Sequence, residues 1–232
     1  MFRFHCDHGQ NINLSENNMV ATRTQSFANA IVFSQRPMEE DEIFMIEIIG
    51  NEQGWAGNIR CGITLHNPAD IVIPQYLLPD LYRLGKSCVF SIKPSIEDPF
   101  REQELTEKNH RDNLPHCRYF ECIKKCSTSH TVHQDLLKND NYINVKPCDK
   151  GSRIGFFISS KRQLFFIING VQYGPCAGNI PSNSDVYAAL DLYGTTSEIR
   201  IINCSGKDKT SIYYIYIHWT LNFLLLGVSS LG

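Results

Sequence analysis

Apolar and polar side chains alternate along several short segments, and this alternation restricts the chain to β-strands. In residues 59–65, IRCGITL, every second side chain is apolar, and the same period of two recurs in residues 154–158, 186–192 and 199–201. Successive side chains of a strand point to opposite faces, so each segment can line a core with one face. No long segment shows the period of 3.6 that an amphipathic helix requires. The sequence therefore predicts an all-β fold.

A β-hairpin is predicted where two apolar runs flank the dipeptide Asn169-Gly170. Both residue types accept the positive φ angles of a tight two-residue turn, so the flanking runs are expected to pair antiparallel. Elsewhere, clusters of Gly, Pro, Asn and Asp separate the short strands at fairly even spacing. This pattern is typical of an antiparallel β-sandwich, and it predicts one domain over residues 2–203.

Residues 95–150 interrupt the strand pattern. They include the run EDPFREQELTEKNHRDN, which is too polar to bury the surface that ordering requires. We therefore expect a long, partly disordered insertion between two strands, not a second domain. Within it, three segments are apolar enough to pack back onto the sandwich: Tyr119-Phe120, Leu136-Leu137 and YINV at residues 142–145.

Charge and cysteine content exclude several classes of protein. The 22 basic and 24 acidic residues give a net charge of -2 with no basic face, so nucleic acid is not an expected partner. The N-terminus lacks the apolar run of a signal peptide, which predicts a cytoplasmic protein. Nine cysteines, an odd number in a chain of this length, are then expected to be mostly reduced thiols.

The first part of the chain carries a series of motifs that resembles a known family. Residues 4–37 read FHCDHGQNINLSENNMVATRTQSFANAIVFSQRP. This resembles the opening of a Neuralized homology repeat, F-H-x-x-H-G-x-N-I-x-L, then A-x-R-x-x-S-F, then I-V-F-S-x-R-P. Further matches follow in the family's order, at GWAG in residues 54–57 and at LPDL in residues 78–81. The resemblance covers residues 2–203, with a poor match across the insertion.

This resemblance implies both a fold and a function. The family's fold is a compact β-sandwich similar to SPRY domains. Its role is that of a substrate-recognition subunit of a cullin-type E3 ubiquitin ligase complex, which implies a protein target, Elongin B-C and a cullin as partners. Such a subunit has no catalytic residues and no cofactor. The alternative is a scaffold or competitor domain that binds proteins without recruiting a ligase.

Turn-rich loops are where a sandwich commonly binds its partners, because rigid strands hold them in place. We expect binding through the loops around residues 9–18, 51–58, 66–74 and 171–177. The candidate partner-binding residues are Asn11, Asn13, Trp55, His66, Gln172 and Tyr173. Two roles stay open for Trp55, a partner contact or a core side chain, and two for Arg23, a buried hydrogen-bonding fork or part of a partner surface.

Residues 204–232 form an apolar tail with no charged residue after Lys209. A bilayer helix needs about 20 apolar residues, but polar residues such as His218 and Asn222 dilute this stretch, and a membrane is not expected. The open alternatives are a tail anchor, docking on the sandwich or local disorder, and an altered terminus.

The resembling family recruits the ligase through a SOCS box with a short S-L-x-x-L-C helix. The nearest match here is Ser211 to Tyr216, where a tyrosine replaces the small cysteine. We therefore expect an incomplete or absent SOCS box. Target recognition would then be kept while ligase recruitment is lost or comes from a partner.

Metal binding and catalysis have weak signals. Cys117, Cys122, Cys126 and His130 offer zinc ligands, but their irregular spacing and polar context favour unrelated surface thiols, and we predict no required metal. Cys6 and His5 could be imagined as a nucleophile and base, yet the family motif gives His5 a structural role. No nucleophile elbow, phosphate-binding glycine loop or zinc-protease motif is present in the sequence.

Limited proteolysis tests the predicted organisation. The first cuts should fall between residues 95 and 150, because a polar insertion exposes its backbone to the protease. Early cleavage within residues 59–65 or 154–158, which are predicted to be core strands, would contradict the architecture.

Overall fold

The computed structural model describes residues 1–94, 142–145 and 149–203. Twelve strands are found in this part of the chain, joined by a 3-10 turn at Pro68–Asp70 and a helical turn at Leu77–Leu81. The strands are β1 (Ile12–Ser15), β2 (Val20–Arg23), β3 (Ile31–Phe33), β4 (Phe44–Asn51), β5 (Arg60–Thr64), β6 (Ser87–Pro94), β7 (Tyr142–Val145), β8 (Arg153–Ile158), β9 (Leu164–Ile168), β10 (Val171–Ala177), β11 (Tyr187–Asp191) and β12 (Thr196–Ile201).

The strands form two sheets. One has seven strands in the order β1-β2-β12-β4-β8-β9-β10, and the other has five in the order β3-β11-β5-β6-β7. Every pairing within them is antiparallel except β6 with β7. The predicted all-β sandwich is confirmed.

The parallel pair differs from the predicted antiparallel pattern. Ser91 lies opposite Tyr142, and the register continues to Pro94 opposite Val145. A parallel partner needs a connection of about a dozen residues or more, which the long insertion between these strands supplies. Of the three segments expected to pack back onto the sandwich, residues 142–145 do so as an edge strand, and the other two lie outside the described residues.

The core lies between the two sheets and is rich in phenylalanine. Phe156 of β8 packs against Phe44 of β4 and Phe166 of β9, with ring centroids 5.5 Å and 5.4 Å apart. Phe90 of the five-stranded sheet lies edge-on to Phe166 at 5.4 Å, which joins the two sheets. The residues of β8 that alternate toward this core are buried, as the sequence predicts.

The Asn169-Gly170 hairpin is confirmed. Both residues have positive φ, 48° and 82°, and Val171 pairs with Ile168 directly across the turn. A two-residue turn of this kind matches the right-handed twist of the strands on either side. It fixes the position of β10 at one edge of the seven-stranded sheet.

A third layer covers the outer face of the five-stranded sheet. Residues 66–85 cross that face and bury a second apolar cluster, which consists of Ile31, Phe33, Leu77, Leu81, Val89 and Ala189. The alternation in β5 and β11 predicts one polar, solvent-facing side, whereas the structure buries both sides of these strands. A side chain at Gly62 would meet the Cys88 carbonyl oxygen at 2.0 Å, so the strand is closely packed there.

The covering layer is joined to β11 through a buried carboxylate. Asp191 is fully buried, and its Oδ2 accepts the Leu77 backbone N–H at 3.1 Å and lies 3.8 Å from Arg60 Nη1. Its Oδ1 has no hydrogen-bond partner among the described residues. Burial raises the pKa of Asp191 to about 7, against the opposing effects of the Leu77 N–H, Arg60 and Arg23.

The rest of the predicted insertion, with the candidate zinc ligands, lies outside the described residues, as does the 204–232 tail with its SOCS-like segment. Within the described part of the chain, no helix has both the length and the apolar character that crossing a bilayer demands.

The raised pKa of Asp191 predicts an unusual dependence of stability on pH. In the unfolded chain this carboxyl ionises near its ordinary pKa of 3.8, and in the folded protein near about 7. Between these values the folded state binds more protons, so the free energy of unfolding falls as pH rises, by up to about 4 kcal/mol. Asp191→Asn, which has no charge to bury, should flatten this slope in urea unfolding measured from about pH 4.5 to about pH 7.5.

The exposed Asp185 supplies the matched control, and Asp185→Asn should keep the wild-type slope. An Asp191→Asn variant with an unchanged slope would show that this carboxyl is ionised in the folded protein at all these pH values.

Candidate functional site

Four loop segments meet at one end of the sandwich, which we call the aromatic end. They are residues 24–30 after β2, 52–59 after β4, 75–78 in the covering layer and 192–195 before β12. Backbone hydrogen bonds join them, including Glu52 N to Thr195 O at 2.8 Å and Asn29 N to Gln75 O at 2.8 Å. The loops therefore brace one another and hold their side chains in fixed positions.

Each loop contributes one ring to a cluster, which consists of Phe27, Trp55, Tyr76 and Tyr193. Phe27 stands at its centre, edge-on to Trp55 at 5.0 Å and to Tyr193 at 4.7 Å, and 6.3 Å from Tyr76. Aromatic pairs in this geometry attract each other by about 0.5 to 1.5 kcal/mol beyond the area that they bury. Phe27, Tyr76 and Tyr193 are half-buried, and Trp55 is exposed.

The buried side chain of Arg23 connects the loop after β4 with the loop before β12. This side chain has no exposed surface, and its Nη1 donates to the carbonyl oxygens of Leu192 and Gly194 at 2.9 and 2.8 Å. Its Nη2 donates to Glu52 Oε2 at 2.8 Å. Of the two roles left open by the sequence, the structure shows the buried hydrogen-bonding fork.

Trp55 is 38% exposed, so it is not a core side chain. It stands between Gly54 and Gly57, which have φ of 92° and 93°, a conformation that favours glycine. The Glu52 carboxylate accepts hydrogen bonds from Arg23 and from the Trp55 indole. These bonds, the one from Arg23 first, lower the pKa of the Glu52 carboxyl. The ring is therefore presented to solvent in a defined orientation.

A second arginine stabilises the inner side of the cluster. The Arg60 guanidinium stacks 3.4 Å above the Tyr193 ring, and its Nη1 donates to the Leu78 carbonyl oxygen at 2.6 Å. The same group faces the buried Asp191. Arg60 thus connects the aromatic end to the covering layer and to the buried carboxyl.

Trp55, Asn11 and Asn13 lie toward the aromatic end. Asn11 Nδ2 donates to the Ala28 carbonyl oxygen at 2.7 Å, so this side chain supports the loop that carries Phe27. Asn13 is exposed on the edge strand β1, whose neighbour Ile12 pairs with Arg23.

The remaining predicted binding residues lie elsewhere. Gln172 and Tyr173 are on β10, at the opposite edge of the seven-stranded sheet from β1 and about 14 Å from β4 at the usual strand spacing. His66 follows the far end of β5, where its Nε2 donates to the Gly85 carbonyl oxygen at 3.0 Å. The six predicted residues therefore do not form one surface.

Most residues of the cluster are not recognisable from the sequence. Phe27 belongs to the A-x-R-x-x-S-F motif, but its position in that motif does not reveal its contacts. Tyr76 and Tyr193 lie in loops far apart in sequence, and only the pairing of β11 with β3 and β5 brings them together. The flanking residues Arg60 and Asp191 looked like the polar side of ordinary alternating strands.

A small group of possible metal ligands lies near the N-terminus. His5 Nδ1 is 3.9 Å from Cys6 Sγ and 3.5 Å from Asp7 Oδ2. The same nitrogen accepts the Asp7 backbone N–H at 3.0 Å, so its lone pair is already engaged. This arrangement is a local turn, and binding of a metal would have to break its hydrogen bond.

Several known proteins are similar in sequence to this chain. Neuralized-like protein 2 from Mus musculus is 31% identical over 222 residues, which cover 86% of this chain and 76% of that protein. The Homo sapiens protein of the same name is 30% identical over the same shares. E3 ubiquitin-protein ligase NEURL1B from Homo sapiens is 37% identical over 83 residues, 34% of this chain and 15% of that protein.

A solved structure shares the fold. The crystal structure of the Drosophila melanogaster neuralized-NHR1 domain matches with a TM-score of 0.60 and 22% identity, and the match covers 87% of this chain and 98% of that one. The family model for Neuralized matches residues 4–203. These matches confirm the family resemblance found in the motifs, and the chain belongs to the Neuralized family.

Proposed function

We propose that this protein is the target-recognition subunit of a cullin-type E3 ubiquitin-protein ligase complex and that it binds its target through the aromatic end. Family membership and the names of relatives as E3 ubiquitin-protein ligases support the link to ubiquitination. The choice of this surface as the binding site rests on Trp55, which is exposed and lies next to the fully buried Arg23.

The aromatic end has the properties of a protein-binding hot spot. Tryptophan, tyrosine and arginine dominate such sites, because a large rigid ring buries much apolar area with little loss of side-chain freedom. Here Arg23 and the neighbouring rings have already restricted Trp55 before any partner arrives. A preorganised side chain loses less entropy on binding, so more of its contact energy appears as affinity.

In this proposal the protein binds and positions a target and does no chemistry itself. Ubiquitin transfer belongs to the other subunits, and the protein needs no cofactor. Elongin B-C and a cullin are the proposed bridge to those subunits. A scaffold or competitor role is the second candidate, favoured by the Tyr216 that stands where the family's SOCS box has cysteine.

Substitution of Trp55 tests the proposed surface. Tagged full-length protein should capture a target from cytosol, and Trp55→Ala should weaken that capture about thirtyfold, the loss typical of a hot-spot residue. Quantitative mass spectrometry of the captured proteins measures the loss, and the lost protein should also show more ubiquitin when the wild-type chain is overproduced.

Leu84 offers a matched control, since it is apolar and 55% exposed but lies outside the cluster and outside the predicted binding loops. Leu84→Ala should leave capture unchanged. A folded Trp55→Ala, Tyr173→Ala double variant that still captures the target at full strength would refute both proposed binding regions. The proteins captured from cytosol separate the two functions, because an adaptor, directly or through a partner, should bring down Elongins and a cullin with its target, whereas a scaffold should bring down its target alone.

A further inference from the structure

An open recess lies beside Trp55 on the outer face of the seven-stranded sheet. Its walls come from the ends of β2 and β4, the start of β12 and the loop after β4. Glu198 lines the recess and lies opposite Thr22 on β2 and Gly50 on β4. A side chain at Gly50 would meet Glu198 Cβ at 2.7 Å, so the glycine leaves room for the Glu198 side chain.

The recess contains one carboxylate without a cationic partner. Glu198 Oε1 accepts the Thr22 hydroxyl at 2.9 Å, and in residues 1–94, 142–145 and 149–203 this carboxylate forms no ion pair. The other acid of the recess, Glu52, is paired with Arg23. One negative charge in the recess is therefore uncompensated.

We propose that this recess binds an arginine side chain of the target protein, an inference that rests on the proposed function. The aliphatic part of the arginine packs along the exposed part of Trp55, and its guanidinium donates to Glu198. Long basic side chains combine an apolar stem with a charged head, and both an aromatic side chain and a carboxylate line this recess.

Arginine fits this site better than lysine or an anion. Its guanidinium is weakly hydrated and presents its donors in a planar fork, so it approaches the Glu198 carboxylate at lower desolvation cost than an ammonium group. An anionic group would be repelled by Glu198. The nearby Arg23 offers it no compensation, since its side chain is fully buried and its two terminal nitrogens already donate to Leu192, Gly194 and Glu52.

The fluorescence of Trp55 tests this inference without the target. The full-length chain contains a second tryptophan, Trp219, outside the described residues, so Trp219→Phe serves as the background. Nα-acetyl-arginine methylamide should give a saturable change in emission. The citrulline compound, which has the same shape and no charge, should give none, and the lysine compound should bind more weakly. Glu198→Gln should weaken arginine binding about tenfold, because a charge-assisted hydrogen bond is lost.

Glu39→Gln removes the same charge at an exposed site outside the recess and should leave binding unchanged. Equal responses to the arginine and citrulline compounds would overturn the inference. No residue of the recess is substituted in this comparison, so the result does not depend on whether a recess variant folds. Target capture that depends on Trp55 but survives Glu198→Gln would also overturn it while the proposed function stands. Arginine binding without any captured target would instead count against the proposed function alone.

Discussion

The aromatic end depends on one buried interaction, the contact of the Arg23 guanidinium with two loops. It donates to two carbonyl oxygens of residues 192–194 and to Glu52, so it joins β2 to the turn before β12 and to the loop after β4. Buried carbonyl oxygens without donors would each destabilise the fold by about 1 to 3 kcal/mol. Removing the arginine would also leave the Glu52 carboxylate without its charged partner.

Glycine residues let the backbones of the same loops pack closely around this interaction. Gly194 has a φ of 61°, and a side chain there would meet the Gly57 carbonyl oxygen at 2.1 Å. Both loops cross from one sheet to the other, and they can approach this closely only because neither carries a side chain at the contact. The result is a rigid base for Trp55, and rigid presentation of an aromatic side chain is what the proposed recognition requires.

Local sequence patterns predicted the parts of the fold that local rules determine. The Asn169-Gly170 turn and the alternation in β8 depend on neighbouring residues, and both are confirmed. The parallel β6–β7 pair and the covering layer depend on how distant segments return to the sheets. Gly62 and Thr64 look like the solvent side of β5, yet they are buried because residues 66–85 pack over them.

The candidate site shows the same difference between features set by neighbouring residues and features set by distant segments. Trp55 is recognisable within the GWAG motif, because glycines on both sides of a tryptophan mark a specialised turn. The rest of the cluster is not recognisable, since Phe27 reaches Trp55, and Tyr193 reaches Phe27, only after β2, β11 and β12 have taken their places. Glu198 reads as an ordinary exposed acid of a strand, and only its cross-strand neighbours show that it lies in a recess.

Amide hydrogen exchange in an Arg23→Lys variant tests most directly whether the buried arginine organises the aromatic end. Lysine keeps the charge but cannot donate to both carbonyl oxygens and Glu52 in the same planar geometry. Exchange in residues 52–57 and 192–195 should accelerate about tenfold or more, while residues 154–158 stay protected. Arg200→Lys, which alters an exposed ion pair with Glu16, should change nothing in these loops. Unchanged exchange at the aromatic end of the Arg23→Lys variant would contradict the account.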